Sequence, residues 1–153
     1  MSVEVFHSFH YAQDSHRVQR IKQMGALEGQ PLLGSQEWEQ VKDRGDAAIE
    51  KYIADQMRGK DCLVVLVGEK TSGRRWVKHE IDKAWSGGLG VLAVHIHNLA
   101  DLNGNRTAKG SDPFAGRAAV GKVYDPPFTA SADVYAHIKD NLPKWVDTAI
   151  AAR

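Results

Sequence analysis

Cys62-Leu-Val-Val-Leu-Val67, then Thr71-Ser-Gly-Arg-Arg-Trp-Val-Lys-His-Glu-Ile-Asp-Lys-Ala-Trp85, then Val91-Leu-Ala-Val-His-Ile96: this succession decides the fold. The two outer runs are apolar on both faces, with His95 the one polar residue, a pattern that a strand tolerates only when both its faces are buried. The segment between them carries Val77, Ile81, Ala84 and Trp85 on one helical stripe and ends at Gly87-Gly88. Strands buried on both faces and separated by a helix of this length indicate a parallel sheet covered on each side. The pattern extends upstream. Val3 to Phe9 reads as a first strand, and Asp14 or Ser15 is placed to cap a helix carrying Val18, Ile21 and Met24. A weaker strand is expected over Leu27 to Leu33. Asp43 or Asp46 would cap a helix bearing Ile49, Tyr52, Ile53 and Met57, with Gly59 as its stop. Downstream, a fifth strand is expected over Val120 to Tyr124 and a last helix from Ser131, interrupted or restarted near Pro143. The class is α/β, doubly wound, a five-stranded parallel sheet with helices on both faces, read as one domain over 1–153.

Composition narrows the function classes. The 153 residues hold twenty Lys and Arg against nineteen Asp and Glu, a net charge of +1. That balance provides no basic field for a nucleic-acid backbone or an anionic membrane. One cysteine, Cys62, excludes an intrachain disulfide, and no apolar run approaches membrane-spanning length, so a cytoplasmic protein is expected. The start, Met-Ser-Val-Glu-Val, lacks the features of a secretion signal.

In an open parallel sheet, ligands bind beyond the carboxyl ends of the strands. That selects Phe9 to Tyr11, Leu33 to Ser35, Gly68 to Ser72 and His97 to Asn98. The P-loop pattern is absent, because Gly68-Glu-Lys-Thr71 imitates only its last letters. The dinucleotide fingerprint is absent too, since the first strand runs into His7-Ser-Phe-His-Tyr-Ala12 without a glycine. A receiver domain would need acidic residues where His7, His10 and Gly68 stand. His95 and His97 share a strand face and raise a metal-dependent hydrolase as one reading, but no carboxylate or cysteine partner stands at a metal-binding spacing, and no metal is expected. His95 is expected to pack on the sheet and His97 to line the cleft. Cys62 begins a buried strand at the end away from the site, which makes it a structural thiol. Asn98 to Gly121 is long for a connection and is either a functional lid or misread structure.

Glu80 lies at the margin of the buried stripe of its helix, and Trp76, four residues earlier, is on the same side. The plain alternative is an exposed Glu80 pairing with Lys83. Arg74-Arg-Trp-Val-Lys-His-Glu-Ile81 after the strand Cys62 to Val67, the opening Val5-Phe-His-Ser-Phe-His-Tyr11 with Asp14, Trp38, Val94-His-Ile96 and Lys109-Gly-Ser-Asp-Pro-Phe114 together resemble bacterial TIR-like domains. Within that family they most closely resemble the TIR-like proteins of Thoeris antiphage defence systems. Asp112 stands where relatives tend to have Asn.

This resemblance, which runs over most of residues 3 to 115, implies a flavodoxin-like fold and cleavage of NAD between nicotinamide and ribose. ADP-ribose would then be converted to a cyclic or conjugated second messenger for a separate effector protein. NAD is the substrate, with no further cofactor implied. Glu80 would be the catalytic carboxylate. Phe9, His10, Tyr11 and Trp76 would wall the site, with Ser8 as a hydrogen-bond donor and Arg74 and Arg75 near the pyrophosphate. The resemblance also implies a homo-oligomer when active. A catalytically silent interaction module is the alternative from another class.

Overall fold

The computed structural model describes residues 3–25, 27–29, 35–116 and 120–153. The strands are β1 (Glu4–Ser8), β2 (Glu28–Gly29), β3 (Cys62–Val67), β4 (Gly90–His95) and β5 (Lys122–Tyr124). They form one sheet in the order β2-β1-β3-β4-β5, with every pairing parallel. This is the flavodoxin-like order, in which the connection reverses direction between β1 and β3 and opens a crevice at their carboxyl ends. β2 is two residues long; the remainder of the expected Leu27 to Leu33 strand lies outside the described residues.

The helices are α1 (Tyr11–Gln23), α2 (Ser35–Asp43), α3 (Asp46–Met57), α4 (Arg75–Ser86) and α5 (Ser131–Ala151). Strand alternation divides the core into two layers. Val5, Cys62, Val64, Leu66, Leu92 and Val94 meet Val18 and Ile21 of α1 and the four-residue ladder Val134, Ile138, Leu142 and Val146 of α5. On the opposite face, Phe6, Leu63, Val65, Val67, Val91 and Ala93 meet Ile49, Ile53 and Met57 of α3 and Val77, Ile81 and Ala84 of α4. Every residue of β3 and β4 is buried, as runs apolar on both faces require.

Several helix boundaries differ from expectation, each for a physical reason. Helix α1 begins at Tyr11 after His10, and neither Asp14 nor Ser15 caps it. Asp14 instead lies within its first turn, fully buried against Arg17, because residues 14, 18 and 21 share the stripe that faces the sheet. The helix expected over Ile49, Tyr52, Ile53 and Met57 is α3, and a separate helix, α2, precedes it. Asp43 ends α2, and α3 starts at Asp46 after Gly45, whose φ of 95° makes a sharp corner that residues with a Cβ resist. Thr71 opens a single 3₁₀ turn, Thr71–Gly73, and α4 follows it. Pro143 sits within an unbroken α5 and forgoes only its own bond to the Lys139 carbonyl.

The described part of the long segment after β4 is irregular but tethered. The buried Arg17 guanidinium donates to the Leu99 and Asn105 carbonyls, Asp101 accepts from the Asn103 and Asn105 amides, and Phe114 enters the core. Asp112 Oδ1 accepts the Phe114 amide at 2.7 Å, a bond that the side-chain oxygen of an Asn makes equally well. Cys62 is buried, and burial pushes its thiol up to about 12. Among the described residues no helix is long and apolar enough to cross a membrane.

Candidate active site

The β1–β3 crevice holds a cavity of about 520 Å³ walled by the turn after β1, by α2 and by the first half of α4. Phe9, His10 and Tyr11 enter from the strand end, Trp38 and Lys42 from α2, and Arg74, Arg75, Trp76 and Glu80 from α4 and the residue before it. Seven of the eight residues singled out in the sequence therefore border one space. The eighth, Ser8, lies behind it, fully buried, and its hydroxyl donates to Glu80 Oε1 at 2.6 Å. Ser8 thus touches the carboxylate itself, and Glu80 turns inward to it instead of pairing with Lys83.

The reason is geometric. Val77, Ile81 and Ala84 bury against the sheet and fix the rotation of α4. Glu80, one residue before Ile81, is then carried to the edge of that contact, over the last residue of β1. The carboxyl is half-buried at the cavity wall but enclosed by protein on its other sides. Burial disfavours its charged form and pushes it up to about 8, against a smaller opposing effect of the Ser8 hydrogen bond.

Aromatic rings make the facing wall. Phe9 and Tyr11 have centroids 4.3 Å apart, and Tyr11 stacks on Trp38 at 4.7 Å with planes 11° apart. Tyr52 of α3 tilts against Trp38 at 6.2 Å and also contacts Tyr11. Burial raises the Tyr52 hydroxyl above its ordinary range, and the Glu80 and Glu37 charges add to that. Trp76 is flanked by Arg75, whose guanidinium lies 4.5 Å from the ring centroid, and by the edge of His79.

The cations differ in their commitments. Arg75 forms an ion pair with Asp46 at 2.8 Å, and Lys42 with Glu39 at 2.8 Å. Arg74 has no ion pair among the described residues and is exposed beside the cavity. His10 is held below its usual range by burial first and next by Arg74, with Lys70 and Lys42 adding to the effect against an opposing Gln13 bond. Its Nδ1 has no hydrogen-bond partner among the described residues.

His95 and His97 do not join this site. His95 is buried on the sheet, as expected, with its ring edge against His97, but His97 is half-buried and does not border the cavity. Burial lowers both imidazoles, and the nearby pair Lys109–Asp125, 2.7 Å apart, acts on them from the side. Among the described residues no three His, Cys, Asp or Glu side chains are grouped so as to hold a metal ion. Sequence reasoning missed Lys42 and Glu39. They reach the cavity only through the docking of α2, for which the one local signal was Trp38.

Residues 6–101 match the family model described as "Thoeris protein ThsB, TIR-like domain". The chain is also 32% identical over 124 residues to a Bacillus cereus (strain MSX-D12) protein named "Putative cyclic ADP-D-ribose synthase ThsB1". That alignment covers 74% of this chain and 62% of the relative's length.

Proposed function

Because the chain belongs to the Thoeris ThsB TIR-like family, we propose that it is an enzyme that cleaves NAD at the nicotinamide–ribose bond, with Glu80 as its catalytic carboxylate. The observation that carries this reading is the Glu80 carboxyl, held by Ser8 at 2.6 Å in the wall of the aromatic-lined cavity. NAD serves as substrate and no further cofactor is required.

The chemistry suits such a carboxylate. When the C1′–N bond breaks, its electron pair passes to the pyridinium nitrogen, so nicotinamide leaves neutral and needs no proton. The positive charge moves to the ribose as an oxocarbenium ion. A carboxylate in a dry wall stabilises that charge as it develops, where water would stabilise it less selectively. The low-dielectric setting that raises Glu80 is the same setting that strengthens its attraction to a cation. A nucleophile, either water or a group on the ADP-ribose itself, then bonds to C1′ and loses its proton. Attack by the ADP-ribose's own group gives a cyclic ADP-ribose, which the relative's name supports, and attack by a nucleophile of a second molecule in place of water gives a conjugated one. The product would act as a second messenger for a separate effector protein in antiphage defence, made in the cytoplasm by an oligomer of this chain.

Incubation with NAD of the purified protein, and of lysate from phage-infected cells expressing it, tests the reading. Nicotinamide should be released, mass spectrometry should find a product derived from ADP-ribose, and Glu80→Gln should abolish both. An undiminished rate in Glu80→Gln would sink the site assignment. No release from either preparation would favour the silent interaction module.

A further inference from the structure

Helix α2 supplies one wall of the cavity, yet among its described side chains none is buried. Trp38 and Val41, three residues apart, are half-buried, and its charged pair, Lys42 with Glu39, lies within the helix. Nine residues make a helix that is marginal by itself, so packing against a neighbour has to fix its place. Helix α3 is anchored differently: Ile49, Ile53 and Met57 are buried against the sheet and set its rotation. Tyr52, one residue before Ile53, is thereby carried to the margin of that contact, half-buried, where Trp38 lies. The Trp38 ring has Tyr11 stacked on it at 4.7 Å and Tyr52 tilted against it at 6.2 Å and 59°. A side-chain hydrogen bond between Tyr52 and Tyr11 joins these two flanking residues. Phe9, 4.3 Å from Tyr11, continues the ladder to the end of β1. Phe9, Tyr11 and Trp38 border the cavity, whereas Tyr52 stands behind them.

We propose that Tyr52 is a positioning residue, which clamps Trp38 against Tyr11 and so docks α2 as a wall of the cavity. Two stacked rings slide over each other at little cost, so the Tyr11 face alone leaves Trp38 free to shift in its own plane. The tilted Tyr52 ring and the directional bond to Tyr11 remove that freedom. Rigidity then passes from the sheet, through α3, to a helix that lacks a buried anchor. The docking holds whatever reaction the cavity carries, and its effect on NAD rests on the NAD-cleaving reading. Glu80 and Ser8 belong to α4 and β1, so the clamp governs how substrate is held and leaves the carboxylate in place.

Amide hydrogen exchange read by mass spectrometry tests the docking without any need for catalysis. Tyr52→Leu should speed exchange over 35–43 by about threefold to tenfold, the loss of one aromatic contact, with β3 and α4 unchanged. Tyr52→Phe, which keeps the ring and loses the hydroxyl, should restore most of the protection. The control Tyr135→Leu, at a half-buried tyrosine of α5 on the opposite face of the sheet, should leave 35–43 as in wild type. In nicotinamide release, Tyr52→Leu should raise KM for NAD by a similar factor, with little change in kcat or in the pH at which kcat/KM rises, and Tyr52→Phe should recover most of the loss. Wild-type exchange over 35–43 in Tyr52→Leu would overturn the assignment. Faster exchange spread evenly over the chain would overturn it too, since Tyr52 would then serve general stability alone, and so would a loosened α2 with an unaltered KM. Faster exchange confined to α2, in a protein that releases no nicotinamide, would uphold the docking while refuting the NAD-cleaving reading.

Discussion

The pH dependence of catalysis is where the Glu80 environment has its most direct consequence. The carboxyl is pushed up to about 8 in the free protein, so at pH 7 only about one molecule in eleven carries the ionised form that stabilises an oxocarbenium ion. Titration alone then makes kcat/KM for NAD rise about tenfold from pH 6 to 7, about fivefold from 7 to 8, and less than twofold from 8 to 9. A carboxyl at its ordinary value would give a flat profile over the whole range. The neighbouring groups do not obscure this limb: burial and cations hold His10 below its usual range, and burial holds Tyr52 above its own. Once NAD is bound, the pyridinium charge favours the carboxylate, so the corresponding limb in kcat should lie at lower pH than that in kcat/KM. Initial rates of nicotinamide release between pH 6 and 9, at saturating and at low NAD, measure both limbs. A kcat/KM that stays level across this range in an enzyme inactivated by Glu80→Gln would refute the argument that burial keeps Glu80 protonated.

The same carboxyl has a stability signature of the opposite sense. Its folded-state value is raised, so the folded protein holds the proton more tightly, and its contribution to stability declines as pH rises from about 4.5 to 8. Glu80→Gln should therefore raise the melting temperature relative to wild type more at pH 9 than at pH 5, as read by calorimetry. Arg17→Met should destabilise the fold by roughly 3–5 kcal/mol at pH 7, because it strands the buried Asp14 and two carbonyls. Burial raises Asp14 to about 6 despite the pull of Arg17, so that deficit should shrink as Asp14 is protonated on the way to pH 5; urea titrations at the two pH values check this. Gly68→Ala should also lower the urea midpoint, because a Cβ there would be driven into the Asp14 carboxylate. A thiol reagent should leave Cys62 untouched at neutral pH until the protein unfolds.

Legibility in the sequence followed the range of the interaction that fixes each feature. β3 and β4 were readable because burial on both faces is written into consecutive residues, and α5 because its apolar ladder repeats every fourth residue. Of the strand expected over Leu27 to Leu33, the described part, Glu28 and Gly29, pairs with β1. Asp14 resembled a cap because its residue type favours caps. Its spacing to Val18 and Ile21 already placed it on the buried stripe, and Arg17 three residues on was its partner. Glu80 was singled out by family resemblance, since by helix geometry alone a pair with Lys83 was the plainer reading. Its partner Ser8 is 72 residues away, and only the register of β1 beside β3 brings the two together. Lys42 and Glu39 were invisible for a related reason: the docking of α2 is tertiary and leaves no periodic trace in nine residues.

The position of the cavity follows from how tightly the neighbouring strand ends are packed. Gly68, at the end of β3, lies directly against the Asp14 carboxylate, and Gly110 lies against the Gly68 carbonyl, so a Cβ at either glycine would collide. Thr71 Oγ1 accepts the Gly68 amide at 2.8 Å and closes the turn that launches α4. The carboxyl end of β3 is thereby filled by protein atoms on the α1 side, and the open space is displaced toward α2, the face on which Ser8 and Glu80 lie. Arg17 binds Asp14 and the segment after β4 from the other side, which ties the turn before α4 to the loop that follows β4. A buried ion pair is a costly way to gain stability. Here it holds the close crossings at Gly68 and Gly110 together, beside the turn from which α4 starts.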